Sequence, residues 1–402
     1  MFVNECGDAT RVDVKYTTRP KMTIPVWDAT LASPFSFPNS PWLVSLCLAL
    51  CGYALAQPTT QHAVFTTVDA PGAGTGTGQG TIATDINMIG DIVGYYIDAD
   101  GVRHGFLRSS AGIFTTLDAP GAGTGYDQGT MAASINAAGA ITGNYSDVSG
   151  VVHGFVRDPS GNFTTFDAEG CCGSQGTMAT SINTAGVIAG YYVNADDVTY
   201  GFVRSSTGTI TSFAFPGCCI SPSQRTLALA INEAGTVAGY YVAGYYNEDA
   251  DLVAHGFLQQ SSAGNFTTFD APDAGTGNDQ GTWGAAINKA GVVTGNYVDA
   301  ESVGHGFLRS RSGVVTTFDV PGAGPTGTFG DSINVTGAIT GYYWDARNGD
   351  RGFVRSPSGT IRTFNAPGAV RGTIPSSINN AEAITGYYVD GSSAYHGFLR
   401  TP

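Results

Sequence analysis

Five histidines, His104, His153, His255, His305 and His396, occupy one recurring place in the sequence, each followed by Gly-Phe. Imidazoles at regular intervals invite a metal or acid–base reading, since neutral imidazole ligates metals and titrates near neutrality. The recurrence points the other way. A residue placed once per repeat is spread over the fold and serves each repeat as a structural hydrogen-bonding partner. No catalytic residue is assigned, and no metal ligand set stands out. A set of acidic turns recurs just ahead of the histidines and includes Asp98, Asp100, Asp299, Asp345 and Asp390. Carboxylates gathered on one rim could hold Ca²⁺, which takes several carboxylate and carbonyl oxygens. Asp is equally a good turn former, and no copy spells a full calcium loop, so Ca²⁺ stays open as the one cofactor to test.

Two further features break the regularity. One acidic turn is lengthened and carries Tyr245, Tyr246, Asp249 and Asp251, a pairing of aromatic rings and carboxylates that suits stacking on a sugar. Cys171-Cys172 and Cys218-Cys219 fall in matching loops of consecutive repeats. In an exported protein these four are disulfide candidates, either across the loops or within each vicinal pair. Adjacent ligands fit tetrahedral zinc poorly. Gly-rich loops such as 119–125 match neither phosphate-binding spacing nor a strand-to-helix context, so they are expected to be flexible connectors.

The elements that position these residues follow from a repeat. Ile-Asn recurs at Ile86-Asn87, Ile135-Asn136, Ile182-Asn183, Ile231-Asn232, Ile287-Asn288, Ile333-Asn334 and Ile378-Asn379. A period of 40 to 50 residues marks a repeat architecture. Each unit reads as four short strands, here A to D. Residues 130–136, 140–145, 153–157 and 163–167 exemplify them. Turns of hairpin length, rich in Gly, Asn and Asp, join the strands into an antiparallel meander. Apolar residues alternate onto both faces, as with Phe163 and Phe166 of strand D, which requires burial on both faces. Sheets stacked around an axis provide that. The expected fold is an all-β, seven-bladed β-propeller of four-stranded antiparallel blades. Residues 65–69 form a lone D-type strand, and the last repeat lacks its own. The ring is expected to close by pairing the two in the last blade.

The pattern running from Ile-Asn through Gly-Tyr-Tyr and an acidic turn to His-Gly-Phe-Leu-Arg resembles the HAF family of probable extracellular repeats. Residues 86–108, 135–157 and 378–400 carry it best, and Tyr200 and Arg351 depart from it at the His position. The resemblance implies export and implies no particular activity. Export is also read from the chain itself. Residues 1–41 lack periodicity and are expected to be a disordered leader. Residues 42–56, ending in Ala54-Leu55-Ala56, suit a signal-peptide apolar region with its cleavage site. That run is too short to span a membrane. Residues 57–402 are expected to form one seven-repeat domain.

Composition limits the partners. The 402-residue chain carries a formal net charge of -14 with 12% charged residues, and Lys289 is the only lysine after position 21. That is no footprint for nucleic acid. Expected is a secreted, monomeric binding module for a glycan, peptide or cell-surface ligand. The alternatives are an extracellular enzyme acting on glycans (hydrolase or lyase) and a purely structural surface protein. An enzyme should place unrepeated polar residues at the channel end of strand A. Only Asp85 and Asp331 stand there, which leans against catalysis.

Overall fold

A computed structural model of the chain describes residues 63–169, 176–215, 225–243, 252–260, 264–345 and 349–402. The leader, the signal segment, all four paired cysteines and the Tyr245-Tyr246 excursion with Asp249 and Asp251 lie outside the described residues. Among the described residues there is no helix, and none long and apolar enough to cross a membrane.

Seven four-stranded meanders follow one another. The first comprises A (Gly80–Ile86), B (Ile92–Ile97), C (Arg103–Arg108) and D (Phe114–Leu117). The seventh has A (Gly372–Ile378), B (Ile384–Val389) and C (Tyr395–Thr401) in sequence. Its fourth strand is Val64–Val68, which pairs antiparallel with Tyr395–Thr401, Phe65 opposite Arg400. The expected exchange between the chain's two ends is therefore observed. Most left-handed turn positions among the described residues are glycine. Gly101 and Gly139, for instance, sit at φ +81° and +84°, where a side chain would be strained.

Units meet in two ways. Ladder contacts between them are single parallel bridges from the start of strand C to the start of the next strand A, such as Arg103 with Gly129 and Tyr395 with Gly80. Four of the five bridges place glycine at the start of strand A, and the fourth unit has Arg225 there. A Cβ on Gly80 would lie 2.0 Å from the Tyr395 carbonyl oxygen. Two of these bridges are missing, so the ladder falls into sheets of 16 and 12 strands.

Most of the cohesion lies between faces. Seven apolar clusters are formed among the described residues, and each draws on two consecutive units. One joins Val68, Ala70 and Ala383 of the seventh unit to Ile86, Ile92 and Phe106 of the first. Strand C contributes a fully buried phenylalanine to each unit, from Phe106 to Phe398. The strand D phenylalanine of the preceding unit meets it, as in Phe269–Phe307 at 5.8 Å and Phe318–Phe353 at 6.0 Å. The arginine at the end of strand C then covers that same ring: Arg309 over Phe269, Arg355 over Phe318 and Arg400 over Phe364. Desolvated cation–π contacts of this kind contribute about 1–2 kcal/mol each.

At the inner end of strand A the Ile-Asn marker acquires its meaning. Each Asn oxygen accepts N–H groups of its own A–B turn, as Asn288 does from Ala290 and Val292. Each Asn amide from Asn136 to Asn379 donates to the backbone carbonyl of the next unit's Asn, at 2.9–3.2 Å. The last of these runs from Asn379 to Asn87 and so ties the seventh unit to the first. Asn288→Asp keeps the turn acceptor but replaces the donor with a carboxylate facing a carbonyl. We expect a loss of roughly 2–4 kcal/mol in denaturant unfolding. Phe65→Ala, which strips the strand borrowed by the seventh unit of its contacts with Phe364 and Phe398, should cost about 2 kcal/mol. Unchanged unfolding midpoints in both variants would count against this account of cohesion.

Candidate functional site

The histidines and acidic turns form one repeated device. His305 Nδ1 lies 2.9 Å from Asp319 at the end of strand D, and its Nε2 lies 3.1 Å from Asp299 in the B–C turn. The ring stacks on Tyr297 at 4.8 Å. His104 repeats this with Asp118, Asp98 and Tyr96. His153 does so with Asp167, Asp147 and Tyr145. His396 uses Asp390 and, across the chain ends, Asp69 at 2.9 Å. Where the histidine is replaced, Tyr200 stacks on Tyr192, and Arg351 forms an ion pair with Asp345. The imidazoles are thus structural clasps joining strands B, C and D.

The acidic turns are engaged in the same clasps. One Asp98 oxygen accepts the N–H groups of Asp100 and Val102, and the other faces His104. Asp299 and Asp390 do likewise with their own turns. Asp98, Asp299, Asp345 and Asp390 each belong to a different unit. Asp100 is exposed beside Asp98. Among the described residues no three His, Cys, Asp or Glu side chains gather as a metal set. The Gly-rich loops share this rim, but three of them are braced rather than flexible. Gln79 accepts the Gly76 N–H and donates to the Ala99 carbonyl, and Gln128 and Gln280 repeat the brace.

The central space is a cavity of about 640 Å³ lined by all seven Ile residues of the repeat marker. Asp85 reaches into it as a link between three units. It accepts the Ser377 and Ser134 hydroxyls at 2.7 and 3.0 Å and the Ile135 N–H at 2.9 Å. Burial still leaves its pKa above the ordinary carboxylate value, against the pull of those donors.

A different cavity sets unrepeated residues beside the first tyrosine of the repeated Gly-Tyr-Tyr. Between the sixth and seventh units, a space of about 670 Å³ is lined by Asp331, Asp350, Tyr342, Trp344, Tyr387 and Tyr395. Local structure explains each placement. Every strand A slips register against strand B near its Ile-Asn end, between Gly330 and Ser332 in the sixth unit. Asp331 is the residue left at that bulge, which re-aims its side chain. Asp350 and Tyr395 start successive C strands, the column that abuts the next unit. Tyr342 is held by stacking on Phe329 at 4.9 Å, and Tyr387 meets Tyr395 edge-on at 5.7 Å.

The carboxylates are poorly served. Asp331 lies deep in the protein with only partial exposure, and desolvation raises its pKa to about 8. Asp350 is also raised by burial, opposed by a hydrogen bond from Trp344, and its Oδ1 is buried without a partner. The tyrosines feel both. Burial and the nearby tyrosines and carboxylates push Tyr387 up to about 12.

Sequence reasoning singled out Asp331 but missed Asp350, Tyr387 and Tyr395. A signal was present. The residue just before the His position of strand C is Arg103, Val152, Thr199, Ala254, Gly304, Asp350 or Tyr395, a variable column beside the near-constant His-Gly-Phe.

No protein-family model and no curated protein matches the sequence. Among solved structures, the chain is similar to the Aleuria aurantia fungal lectin, described as a six-bladed β-propeller with a fucose recognition mode. Identity is 13%, the TM-score is 0.39, and the match covers 83% of this chain and 93% of that one. AofleA from Arthrobotrys oligospora aligns at 10% identity and a TM-score of 0.40, over 84% and 86% of the two chains. A prolyl endopeptidase aligns at 9% and 0.40, over 81% and 55%. Likenesses this distant carry no argument about what the chain does.

The titrating groups set a pH profile. For His305 and His396 burial opposes protonation, but the paired aspartates win and raise the pKa. Their contribution is full below the ordinary value of 6.5 and is lost as pH rises through the raised one. Asp98 and Asp299 are partly opposed by burial, yet turn N–H groups and histidine hold them low. Asp147 is lowered first by the Val151 N–H, and Asp390 falls to about 2 through Ser392 and its turn. Their contribution is present above 3.8 and is lost as pH falls through the depressed values. Asp331 works in the opposite sense, costing stability progressively from 3.8 up to about 8. The melting temperature should therefore be highest near pH 4 and fall towards pH 8, more steeply once the histidines deprotonate. Asp331→Asn should flatten the alkaline fall and raise the melting temperature at pH 8. A profile identical to that of the parent would refute the assignment.

Proposed function

We propose that the chain is an exported seven-bladed β-propeller whose sixth-to-seventh interface binds a neutral glycan. Seven units joined by seven shared cores and a donor link from Asn379 back to Asn87 support the propeller. Export, the HAF resemblance and the monomeric state belong to this proposal. The observation that carries the binding site is the cavity holding Asp350, with its unpartnered Oδ1, and Asp331 among Tyr342, Trp344, Tyr387 and Tyr395. Its volume lies within the range of about 300–1,000 Å³ usual for ligand sites. Aromatic faces take the C–H side of a sugar ring, and carboxyl groups take its hydroxyls. A buried acceptor without a partner has the most to gain from a ligand hydroxyl. The absence of a cationic partner in this lining disfavours uronic acids and sulfated sugars.

A hydrolase has one specific observation in its favour, two carboxyl groups in one cavity. Acid–base work on a glycosidic bond needs their pKa values driven apart, however. Here burial raises both, with no cationic neighbour in the lining to hold either one ionised, which favours binding. The test is a glycan array followed by titration calorimetry on the hits. Tyr387→Ala and Asp350→Asn should each weaken binding by about tenfold or more, whereas Asp100→Asn on the far acidic turn should leave it unchanged. Binding that survives both cavity variants would remove this site from the proposal. Release of reducing ends that is abolished by Asp331→Asn would replace it with the hydrolase.

A further inference from the structure

Tyr395 also lines a second cavity, of about 320 Å³, on the other side of the seventh unit. Tyr95, Tyr126, Gln79 and the Arg103–Asp127 ion pair contribute to it, all from the first unit and its loops. The two spaces are linked by rings. Tyr387 meets Tyr395 edge-on, and Tyr395 and Tyr95 line the second space together. Tyr126 is 84% exposed, yet its ring is seated over Gly101, where a Cβ would come within 2.4 Å. A large ring held in place with its face in solvent is a stacking platform whose ordering cost is already met. Polar groups flank the path at both ends, with the two carboxyl groups on one side and Gln79 and Arg103 on the other. The corresponding strand C column elsewhere offers Val152, Thr199, Ala254 and Gly304, so among the described residues Tyr395 is the one ring in that column.

We propose that Tyr395 joins the two cavities into one groove that binds an oligosaccharide of at least two sugar rings, with its end ring in the Asp350 cavity and the following rings against Tyr395 and Tyr126. This extends the glycan reading above and rests on it. A ligand engaging both cavities gains from the second at high effective concentration, so affinity must climb with chain length.

The experiment is calorimetry on the full chain with glucose, xylose and N-acetylglucosamine, each against its β-linked oligomers of increasing length. In whichever series binds, affinity should rise by about tenfold or more between the monosaccharide and the trisaccharide, then level off. Tyr126→Ala, a surface change that should leave the melting temperature unaltered, should erase that increment and spare the monosaccharide. Tyr387→Ala should weaken every length equally. Binding of equal strength at all lengths, or an increment that persists in Tyr126→Ala, would overturn the two-cavity groove while leaving the glycan site standing. No binding in any of the three series, together with a blank glycan array, would overturn both.

Discussion

Each four-stranded sheet in this protein has apolar side chains on both faces and cannot stand alone. That constraint governs everything else. Phe269 is covered by Phe307 and Arg309 of the following unit, and the other interfaces repeat the theme. A unit at the end of an open row would leave one such face in water. Using about 25 cal/mol per Å² and the 150–250 Å² that an aromatic side chain buries, several kcal/mol would be lost at each open face. The borrowed strand Val64–Val68 matters for this reason. It supplies Phe65 as a third ring against the Phe364–Phe398 pair.

The polar architecture serves the same end. Asparagine is suited to the inner end of strand A because its side chain both accepts and donates. The oxygen closes the unit's own turn, and the amide reaches the next unit's carbonyl. Neither Asp nor Leu at that place could do both. The Asp–His–Asp clasp does comparable work at the outer rim, where a histidine on strand C gathers the B–C turn and the end of strand D. The asparagine recurs because each interface has the same problem to solve, the clasp because each unit has the same strands to hold.

Function is sought where the recurrence fails. Fixed columns build the interfaces. Variable columns beside them are free to differ, and at the sixth, seventh and first units they hold Asp331, Asp350, Tyr395 and Arg103. Two carboxyl groups with raised pKa values cost stability, and no local hydrogen-bond network offsets the burial of Asp331. Such a cost is characteristic of a site kept for a ligand rather than for the fold.

The sequence by itself determined the repeat, its four strands, the turns between them and the pairing of Phe65 with the last strand. Those features are written in local alternation, in turn residues and in the count of strands, and they do not depend on distant atoms. It also identified the histidines as structural, since a residue present in nearly every unit serves the unit. The tertiary structure alone decided which unrepeated side chains meet. A register slip at Gly330 and Ser332 aims Asp331 into a cavity, and a parallel bridge sets Tyr395 beside the first unit, although Tyr95 and Tyr395 stand near opposite ends of the chain. Bulges and bridges between units arise from how sheets pack, and no periodicity along the chain encodes where their side chains converge.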